Sequence, residues 1–228
     1  MTFLLACLLA QTEVIYLRYE VKGRTVTYAL EREGPDGKSL GSVPLKAEEV
    51  PCKMRATADG TILAARADGL AEFQRDGKMV WQHKGTGFTD AQKLPGGNVI
   101  AVANSGSRNT VSEIDPEGKV LRKVDVTIKG GYPRVSSVRL LENGRILAAG
   151  GETIVEVGWD GKRHFEHTLA KGSYAYDAME LPGGDILYSA KGDVAQITRE
   201  RKKVWSAYHG CPTSVQLLCS GNILVGGG

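Results

Sequence analysis

The sequence of 228 residues has little cysteine, few aromatic residues and almost no net charge. Its four cysteines, Cys7, Cys52, Cys211 and Cys219, form no C-x-x-C pair, so neither a zinc site nor a dithiol redox motif is indicated. The net charge is +3 and the lysines and arginines are scattered, whereas a nucleic-acid-binding surface needs them clustered. We therefore expect no nucleic-acid partner.

Long apolar runs are also absent, apart from one at the start of the chain. Residues 3–10, Phe-Leu-Leu-Ala-Cys-Leu-Leu-Ala, match the hydrophobic part of a signal peptide in length and are far too short to span a bilayer. No lysine or arginine precedes this run, so an ordinary buried first strand is the alternative. We interpret residues 1–12 as a leader and residues 13–228 as a single domain. This predicts a periplasmic or secreted protein without a transmembrane span, with a cytoplasmic location as the alternative.

Glycine, in contrast, is abundant, and its most informative pattern is a glycine, any residue, and then two aliphatic residues. The pattern begins at Gly60, Gly97, Gly144, Gly184 and Gly221, with spacings of 37, 47, 40 and 37 residues. A second turn sequence follows in each of the first four repeats: Asp76-Gly77-Lys78, Glu117-Gly118-Lys119, Asp160-Gly161-Lys162 and the altered Glu200-Arg201-Lys202-Lys203. A period near 40 with two such turns in each unit is typical of an array of small sheets.

The second repeat shows how one unit divides into strands. Residues 89–94 are extended, residues 99–103 form an apolar run, and residues 110–114 and 119–124 alternate, with glycine turns after the first and third segments. No repeat has the 3.6-residue apolar period of an amphipathic helix. Four short antiparallel strands form the meander of a propeller blade. The predicted fold class is therefore all-β, a β-propeller of five four-stranded blades.

The two ends of the chain decide how the ring closes. The last repeat stops after its second strand, whereas residues 14–43 contain strand-like segments that belong to no repeat. We predict that these N-terminal strands complete the last blade, because added outer strands would remove free sheet edges. The alternative is a fragment of a six- or seven-bladed propeller.

One stretch also indicates a family. Residues 92–119, which run from Gln-Lys-Leu-Pro-Gly-Gly-Asn to Glu-Ile-Asp-Pro-Glu-Gly-Lys, resemble the repeats of bacterial PQQ-like or arylsulfotransferase-like propellers. Asp76-Gly-Lys-Met-Val-Trp81 matches the end of that repeat, where a tryptophan often follows the turn. The resemblance covers roughly residues 50–228 and implies a propeller. It leaves the function open, because this architecture hosts dehydrogenases, sulfotransferases and assembly scaffolds.

The functional residues of the enzymes in that group cannot be matched one by one to residues of this sequence. Its quinoprotein dehydrogenases use a calcium site and often adjacent cysteines, and the sequence has neither a vicinal cysteine pair nor a carboxylate cluster. Pyrroloquinoline quinone (PQQ) is therefore unsupported, and we expect no cofactor and no metal. The sulfotransferases depend on a histidine, and none of His83, His164, His167 and His209 aligns with that role. We predict no catalytic residues.

Geometry indicates where a ligand could bind. In a meander blade the first-to-second and third-to-fourth turns lie on one face of the disc, here called the turn face. The opposite long-loop face carries the longer segments 83–90, 127–136, 170–177 and 208–213. The position seven residues before each turn glycine is polar in every repeat: Lys53, Asp90, Ser137, Asp177 and Ser214. Such a ring either hydrogen-bonds strand ends and channel water or forms a small polar pocket.

These patterns give a set of candidate ligand-binding residues and a predicted function. The candidates are Asp90, Arg134, Ser137, Tyr174, Tyr176, Asp177, His209 and Ser214. We predict a monomeric, non-catalytic propeller of the bacterial cell envelope that binds a small molecule or a protein on its long-loop face. The alternative is an enzyme of the quinoprotein dehydrogenase or arylsulfotransferase type. We expect Cys52 and Cys211 to lie near each other, and the sequence leaves a disulfide between them open.

Overall fold

The computed structural model describes residues 7–9, 13–22, 25–34, 36–46, 50–218 and 220–227, and these contain β-strands and no helix. Most of residues 1–12, the segment interpreted as a leader, lies outside the described residues. The strands are β1 (Cys7–Leu9), β2 (Glu13–Lys22), β3 (Thr25–Glu33), β4 (Ser39–Leu45), β5 (Pro51–Ala56), β6 (Ile62–Arg66), β7 (Gly69–Phe73), β8 (Met79–Lys84), β9 (Phe88–Lys93), β10 (Val99–Ser105), β11 (Arg108–Ile114), β12 (Val120–Asp125), β13 (Val135–Leu140), β14 (Ile146–Gly150), β15 (Thr153–Val157), β16 (Arg163–Thr168), β17 (Ala175–Glu180), β18 (Ile186–Ala190), β19 (Asp193–Ile197), β20 (Lys203–Tyr208), β21 (Pro212–Leu217) and β22 (Ile223–Gly227).

Five four-stranded antiparallel blades stand in a ring, which confirms the predicted five-bladed β-propeller. Blade 1 comprises β1–β4, blade 2 β5–β8, blade 3 β9–β12, blade 4 β13–β16 and blade 5 β17–β20. The strands β21 and β22 form a two-stranded sheet, the β21–β22 hairpin, which packs against blade 5. Each of blades 2–5 is therefore one sequence repeat.

The predicted position of the N-terminal strands is corrected by the structure. Among the described residues, β1–β4 pair only with one another, and β22 pairs only with β21. The N-terminal strands, here called the head strands, therefore form blade 1 and do not complete the last blade. The reason is local pairing: β2 and β3 form a continuous ladder from Val14↔Glu33 to Lys22↔Thr25. The buried side chain of Leu30 in β3 then packs against Met54 and Ile62 of blade 2.

The apolar core is divided into clusters that lie between neighbouring sheets. One cluster joins blades 1 and 2, and others join blades 2 and 3, blades 3 and 4, blades 4 and 5, and blade 5 and the β21–β22 hairpin. The second strand of blade 4, β14, is buried along its whole length, as its uninterrupted apolar run predicts. Burial of apolar surface between blades thus holds the ring together.

The glycine turns have the predicted conformation. Gly97 has φ of +95°, its N–H donates to Leu94 O at 3.0 Å, and the N–H of Leu94 donates to Asn98 O at 2.7 Å. A left-handed φ favours glycine, since a Cβ would approach the backbone. The altered turn of blade 5 keeps this geometry without glycine, because Arg201 has φ of +66°.

Arg201 therefore offers a stabilising substitution. Arg201→Gly should raise the free energy of unfolding by about 0.5–1 kcal/mol, because a left-handed L-residue costs roughly 1–2 kcal/mol and the greater unfolded-state entropy of glycine removes part of that gain. The matched control is Gly161→Arg, at the equivalent turn of blade 4 with φ of +80°, which should be destabilising by a similar amount. Urea unfolding measures both variants. If both substitutions changed the free energy of unfolding in the same direction, the left-handed turn position would not explain their effects.

A partly buried polar contact repeats in blades 2–5 and is here called the latch. In each blade a side chain on the third strand bonds the residue that follows the turn glycine. The four latches are Glu72–Thr61, Glu113–Asn98, Glu156–Arg145 and Gln196–Asp185. The Nδ2 of Asn98 donates to Glu113 at 2.7 Å, and Arg145 Nη1 donates to Glu156 at 2.9 Å. Because the acceptors Glu113 and Glu156 are buried, each latch fixes the first turn of its blade to the third strand.

Candidate functional site

The first strands of the repeats bring the predicted polar ring together at the centre of the propeller. Asp90 and Asp177 are 0% and 1% exposed, and Lys53 is 7% exposed. Ser137 is buried as well, whereas Ser214 is half-buried. The position seven residues before the turn glycine therefore faces the channel in each repeat, as the spacing predicts.

Asp177 accepts contacts from several blades. Ser137 Oγ donates to its Oδ1 at 2.7 Å, and Lys53 Nζ lies 3.4 Å from the same oxygen. Arg55 Nη2 lies 3.4 Å from Oδ1, and Arg139 Nη2 lies 3.4 Å from Oδ2. One carboxylate thus joins cations from blades 2 and 4 to blade 5.

Asp90 forms the second anionic centre. Arg55 binds it with both Nε and Nη2, and the Nε–Oδ1 distance is 3.0 Å. Such a two-pronged guanidinium–carboxylate pair is a strong, oriented contact. Backbone N–H groups also donate to both carboxylates: Ala91 and Val138 to Asp90, and Ala178 and Val215 to Asp177. We call Lys53, Arg55, Asp90, Arg139 and Asp177 the charged cluster.

Burial and attraction to opposite charges shift the pKa values of these groups in opposite directions. Burial alone would raise the pKa of Asp177, but the nearby Lys53, Arg139 and Arg55 outweigh it and hold that pKa far below its usual range. Burial disfavours the charge of Arg55, yet the attraction of Asp90 and Asp177 raises the pKa of Arg55. Burial lowers the pKa of Lys53, and attraction to Asp177 offsets only part of that effect.

Arg55 and Arg139 are members of the charged cluster that the sequence analysis missed. They lie two residues after Lys53 and Ser137 on the same strand, so they share the channel-facing side. Counting five residues back from each turn glycine gives this second ring: Arg55, Gln92, Arg139, Met179 and Gln216. All of its members line one cavity. The sequence therefore contained the signal for this second ring, two residues further along the first strand of each repeat.

That cavity, the turn-face cavity, has a volume of about 260 Å³ and extends to Thr57 and Ala58 at the first turn of blade 2. Its charged lining residues are Lys53, Arg55, Lys93, Arg139 and Asp177. Lys93 is already paired with Asp59 at 2.8 Å and Glu72 at 2.7 Å. The remaining lining is polar or aliphatic.

A second cavity, the long-loop cavity, lies on the opposite face and has a volume of about 290 Å³. Tyr132, Tyr174 and Tyr176 form one wall, with ring centroids 5.9 Å apart for the first pair and 5.1 Å for the second. The guanidinium of Arg134 lies 5.1 Å from the centre of the Tyr132 ring. Lys53 lines this cavity as well as the turn-face cavity.

The long-loop cavity is also lined by the side-chain amide of Asn104. Asn104 is 9% exposed, and its Nδ2 donates to Val135 O at 2.9 Å and to Thr89 Oγ1 at 3.2 Å. Its Oδ1 is buried and has no hydrogen-bond partner among the described residues. Buried polar atoms are normally paired, so an acceptor without a donor at a cavity requires an explanation.

Seven of the eight candidate residues divide between three places. Arg134, Tyr174 and Tyr176 line the long-loop cavity. Asp90, Ser137 and Asp177 lie in or beside the charged cluster, and Ser214 lines the turn-face cavity.

His209 lies apart from these candidates. It lines neither of the two cavities. Its backbone N–H donates to Gly192 O, in the loop between β18 and β19. The spacing argument placed it on the correct loop but could not tell which side chains of that loop turn towards the channel.

Cys52 and Cys211 are both free thiols in the structure, so no disulfide joins them. Cys219 lies outside the described residues. Within the described part of the chain, no group of three or more histidine, cysteine or acidic side chains is arranged to hold a metal ion. The same residues contain no helix that could cross a membrane.

Comparison with known proteins identifies the fold. No protein-family model matches the sequence, and no curated protein matches it either. A solved protein of unknown function from Bacteroides caccae aligns with 95% of this chain and 82% of its own, with a TM-score of 0.71 and 18% identity. The WD40 β-propeller domain of Doa1 aligns with 99% of this chain and 90% of its own, with a TM-score of 0.70 and 12% identity. Virginiamycin B lyase from Staphylococcus aureus aligns with 98% and 83%, with a TM-score of 0.61 and 11% identity. At such identities the likeness shows the propeller fold alone.

Proposed function

We propose that this protein is a non-catalytic, ligand-binding propeller of the bacterial cell envelope, related to the PQQ-like and arylsulfotransferase-like repeat proteins that its repeats resemble. Its ligand is a small molecule with a flat ring, bound in the long-loop cavity. A periplasmic or secreted location is part of this proposal and rests on the apolar run of residues 3–10. Removal of residues 1–12 as a leader would leave blade 1 with β2, β3 and β4. The single observation that carries the binding proposal is the wall of Tyr132, Tyr174 and Tyr176 in the long-loop cavity.

The tyrosine wall supports the ring-bearing ligand. Aromatic side chains contribute large apolar faces on which a flat molecule can stack, and pockets that bind small molecules combine such faces with a few oriented polar groups. The hydroxyl of Tyr174 accepts from Ser136 Oγ at 2.9 Å and donates to Arg134 O at 3.3 Å, so its ring is held in place before any ligand arrives.

The charged cluster supports the non-catalytic part of the proposal. The hydroxyl of Ser137 donates a hydrogen bond to the channel carboxylate of Asp177 at 2.7 Å, so this pair is the one to consider as a nucleophile and its base. A general base needs a pKa near the working pH. The cations around Asp177 hold its pKa far lower, so this carboxylate cannot remove the proton of Ser137 efficiently. The pair therefore fits a structural role.

Calorimetric titration with phenol, indole and nicotinamide tests the ligand class, because these probes carry flat rings. We expect at least one probe to bind, and Tyr174→Ala to weaken that binding at least tenfold because it removes the middle ring of the wall. The matched control is Tyr208→Ala, since Tyr208 is 86% exposed and does not line the cavity. Tyr174→Phe, which keeps the ring, should retain most of the affinity.

Native mass spectrometry of the purified protein extends the test to compounds outside this panel. The binding proposal is wrong if no probe binds and no small molecule co-purifies, or if Tyr174→Ala and Tyr208→Ala have the same effect. A protein partner that binds the long-loop face while every ring compound fails would overturn the ligand class. Sulfuryl transfer from an aryl sulfate, or dehydrogenase activity on addition of PQQ with calcium, would overturn the non-catalytic assignment.

A further inference from the structure

The charged cluster has an excess of positive charge. Its three cations, Lys53, Arg55 and Arg139, face two carboxylates, Asp90 and Asp177, which leaves a net charge of +1. The carboxylates are almost completely buried and the cation side chains are between 8% and 19% exposed. Buried charge is costly unless it is paired, so this surplus needs a compensating anion.

The surplus is shared by Lys53 and Arg139, which each lie 3.4 Å from a carboxylate oxygen of Asp177. The two carboxylate oxygens of Asp90 are occupied by Arg55. Arg139 instead donates from Nε to Ala178 O at 2.8 Å and makes only long contacts of 3.4 and 3.5 Å from Nη2. Its Nη1 has no hydrogen bond to any described residue. Arg139, like Lys53, therefore has no close carboxylate partner, and its Nη1 remains available to a ligand.

Neutral donors without partners surround Arg139 in the turn-face cavity. The side chains of Ser214 and Gln216 line this cavity and make no hydrogen bond to the described part of the chain. Gln92 uses its Oε1 to accept from the backbone N–H of Leu140 at 2.8 Å, which leaves its Nε2 for another acceptor. A guanidinium together with amide and hydroxyl donors is the arrangement that binds carboxylate and phosphate oxygens.

The local electrostatics agree with this geometry. Burial, followed by repulsion from Arg55, lowers the pKa of Arg139, and burial also lowers the pKa of Lys53. Both shifts mean that the surroundings disfavour positive charge at these positions. An added anion would reverse that imbalance.

We propose that the turn-face cavity is an anion-binding site for a small organic acid or phosphate-bearing compound, whose oxygens bind Arg139 and the side chains of Gln92 and Gln216. The volume of about 260 Å³ limits the ligand to a small molecule, because cavities for drug-sized ligands start at roughly 300 Å³. The site lies on the opposite face from the tyrosine wall, so it goes beyond the function proposed above and stands or falls independently.

Titration with inorganic phosphate and with malonate, at constant ionic strength, tests the site. We expect saturable binding of at least one of them by calorimetry, together with a rise in melting temperature. Binding of phosphate alone would assign a phosphate-bearing ligand, binding of malonate alone an organic acid, and binding of both a general oxyanion site. The absence of saturable binding of either anion would overturn the proposal.

Gln216→Glu is the decisive variant, because it places a carboxylate in the cavity without changing the size of the side chain. This built-in anion should weaken phosphate or malonate binding at least tenfold while raising the melting temperature of the protein without ligand. The matched control is Gln82→Glu, on the exposed outer strand of blade 2, which makes the same change in net charge. Equal affinity in both variants would show that the anion binds elsewhere. Tyr174→Ala should leave anion binding unchanged, which separates the two sites.

Discussion

Replacing Asp177 by asparagine should lower the free energy of unfolding by about 3–5 kcal/mol, the usual cost of removing one partner from a buried ion pair. The substitution keeps the size of the side chain but leaves Lys53, Arg55 and Arg139 with Asp90 as their remaining carboxylate. Asp76→Asn is the matched control, because Asp76 is exposed and caps a turn by accepting from the N–H of Lys78, a contact that asparagine retains. Urea unfolding at neutral pH measures both.

The acid side of the stability curve provides a second readout for Asp177. Its pKa is lower in the folded protein than the value near 3.9 of an unfolded aspartate. The folded state therefore binds fewer protons, and the stability contributed by Asp177 is fully present above about pH 4 and is lost as the pH falls below that value. Asp177→Asn should flatten the pH dependence of stability between about pH 4 and 2. An unchanged slope, or a loss of less than about 1 kcal/mol at neutral pH, would show that the cluster does not contribute to folding in this way.

Ile146→Ala should be the second strongly destabilising change, with a loss of about 3–4 kcal/mol. Ile146 is 0% exposed and belongs to the cluster between blades 3 and 4, so its truncation removes apolar contacts and leaves a cavity. The chain supplies a matched comparison in Ile223, which also follows its turn glycine by two residues but is half-buried in the β21–β22 hairpin. Ile223→Ala should cost about half as much, because less apolar surface returns to water on unfolding.

Chemical denaturation of the two isoleucine variants distinguishes position in the ring from residue type. A similar loss for both would mean that the β21–β22 hairpin is packed as tightly as blade 4. A loss for Ile146→Ala below about 1 kcal/mol would contradict the description of the blade 3–blade 4 cluster as a close-packed core.

The repeats were predictable because each blade is specified locally. A glycine with positive φ and a following apolar run determine a turn and a buried strand within ten residues. The strands of blades 2–5 could therefore be predicted without knowledge of the neighbouring blades. The role of the head strands could not be read in this way. Whether β2 and β3 pair with each other or with β22 depends on a choice between edges that are far apart in the sequence.

The candidate site was predictable in part for the same reason. The ring position of Asp90 and Asp177 follows from strand period alone, and the same period also identifies Arg55 and Arg139 once the count is extended by two residues. The two cavities could not be predicted, because their shape depends on side-chain conformations. The unpartnered Oδ1 of Asn104 likewise follows from tertiary contacts across blades 3 and 4 and has no sequence signature.

The latches determine how the protein should open under native conditions. Each one ties a turn to the third strand of the same blade, so an opening of one blade breaks its own latch and leaves the others intact. Repeat proteins of this kind can unfold in segments whose free energies differ along the chain. In amide hydrogen exchange the β14–β15 amides, beside Glu156 and its partners Arg145 and Arg199, should therefore be among the slowest. The β21–β22 amides, in a sheet of two strands, should exchange early and mark the side from which the ring opens.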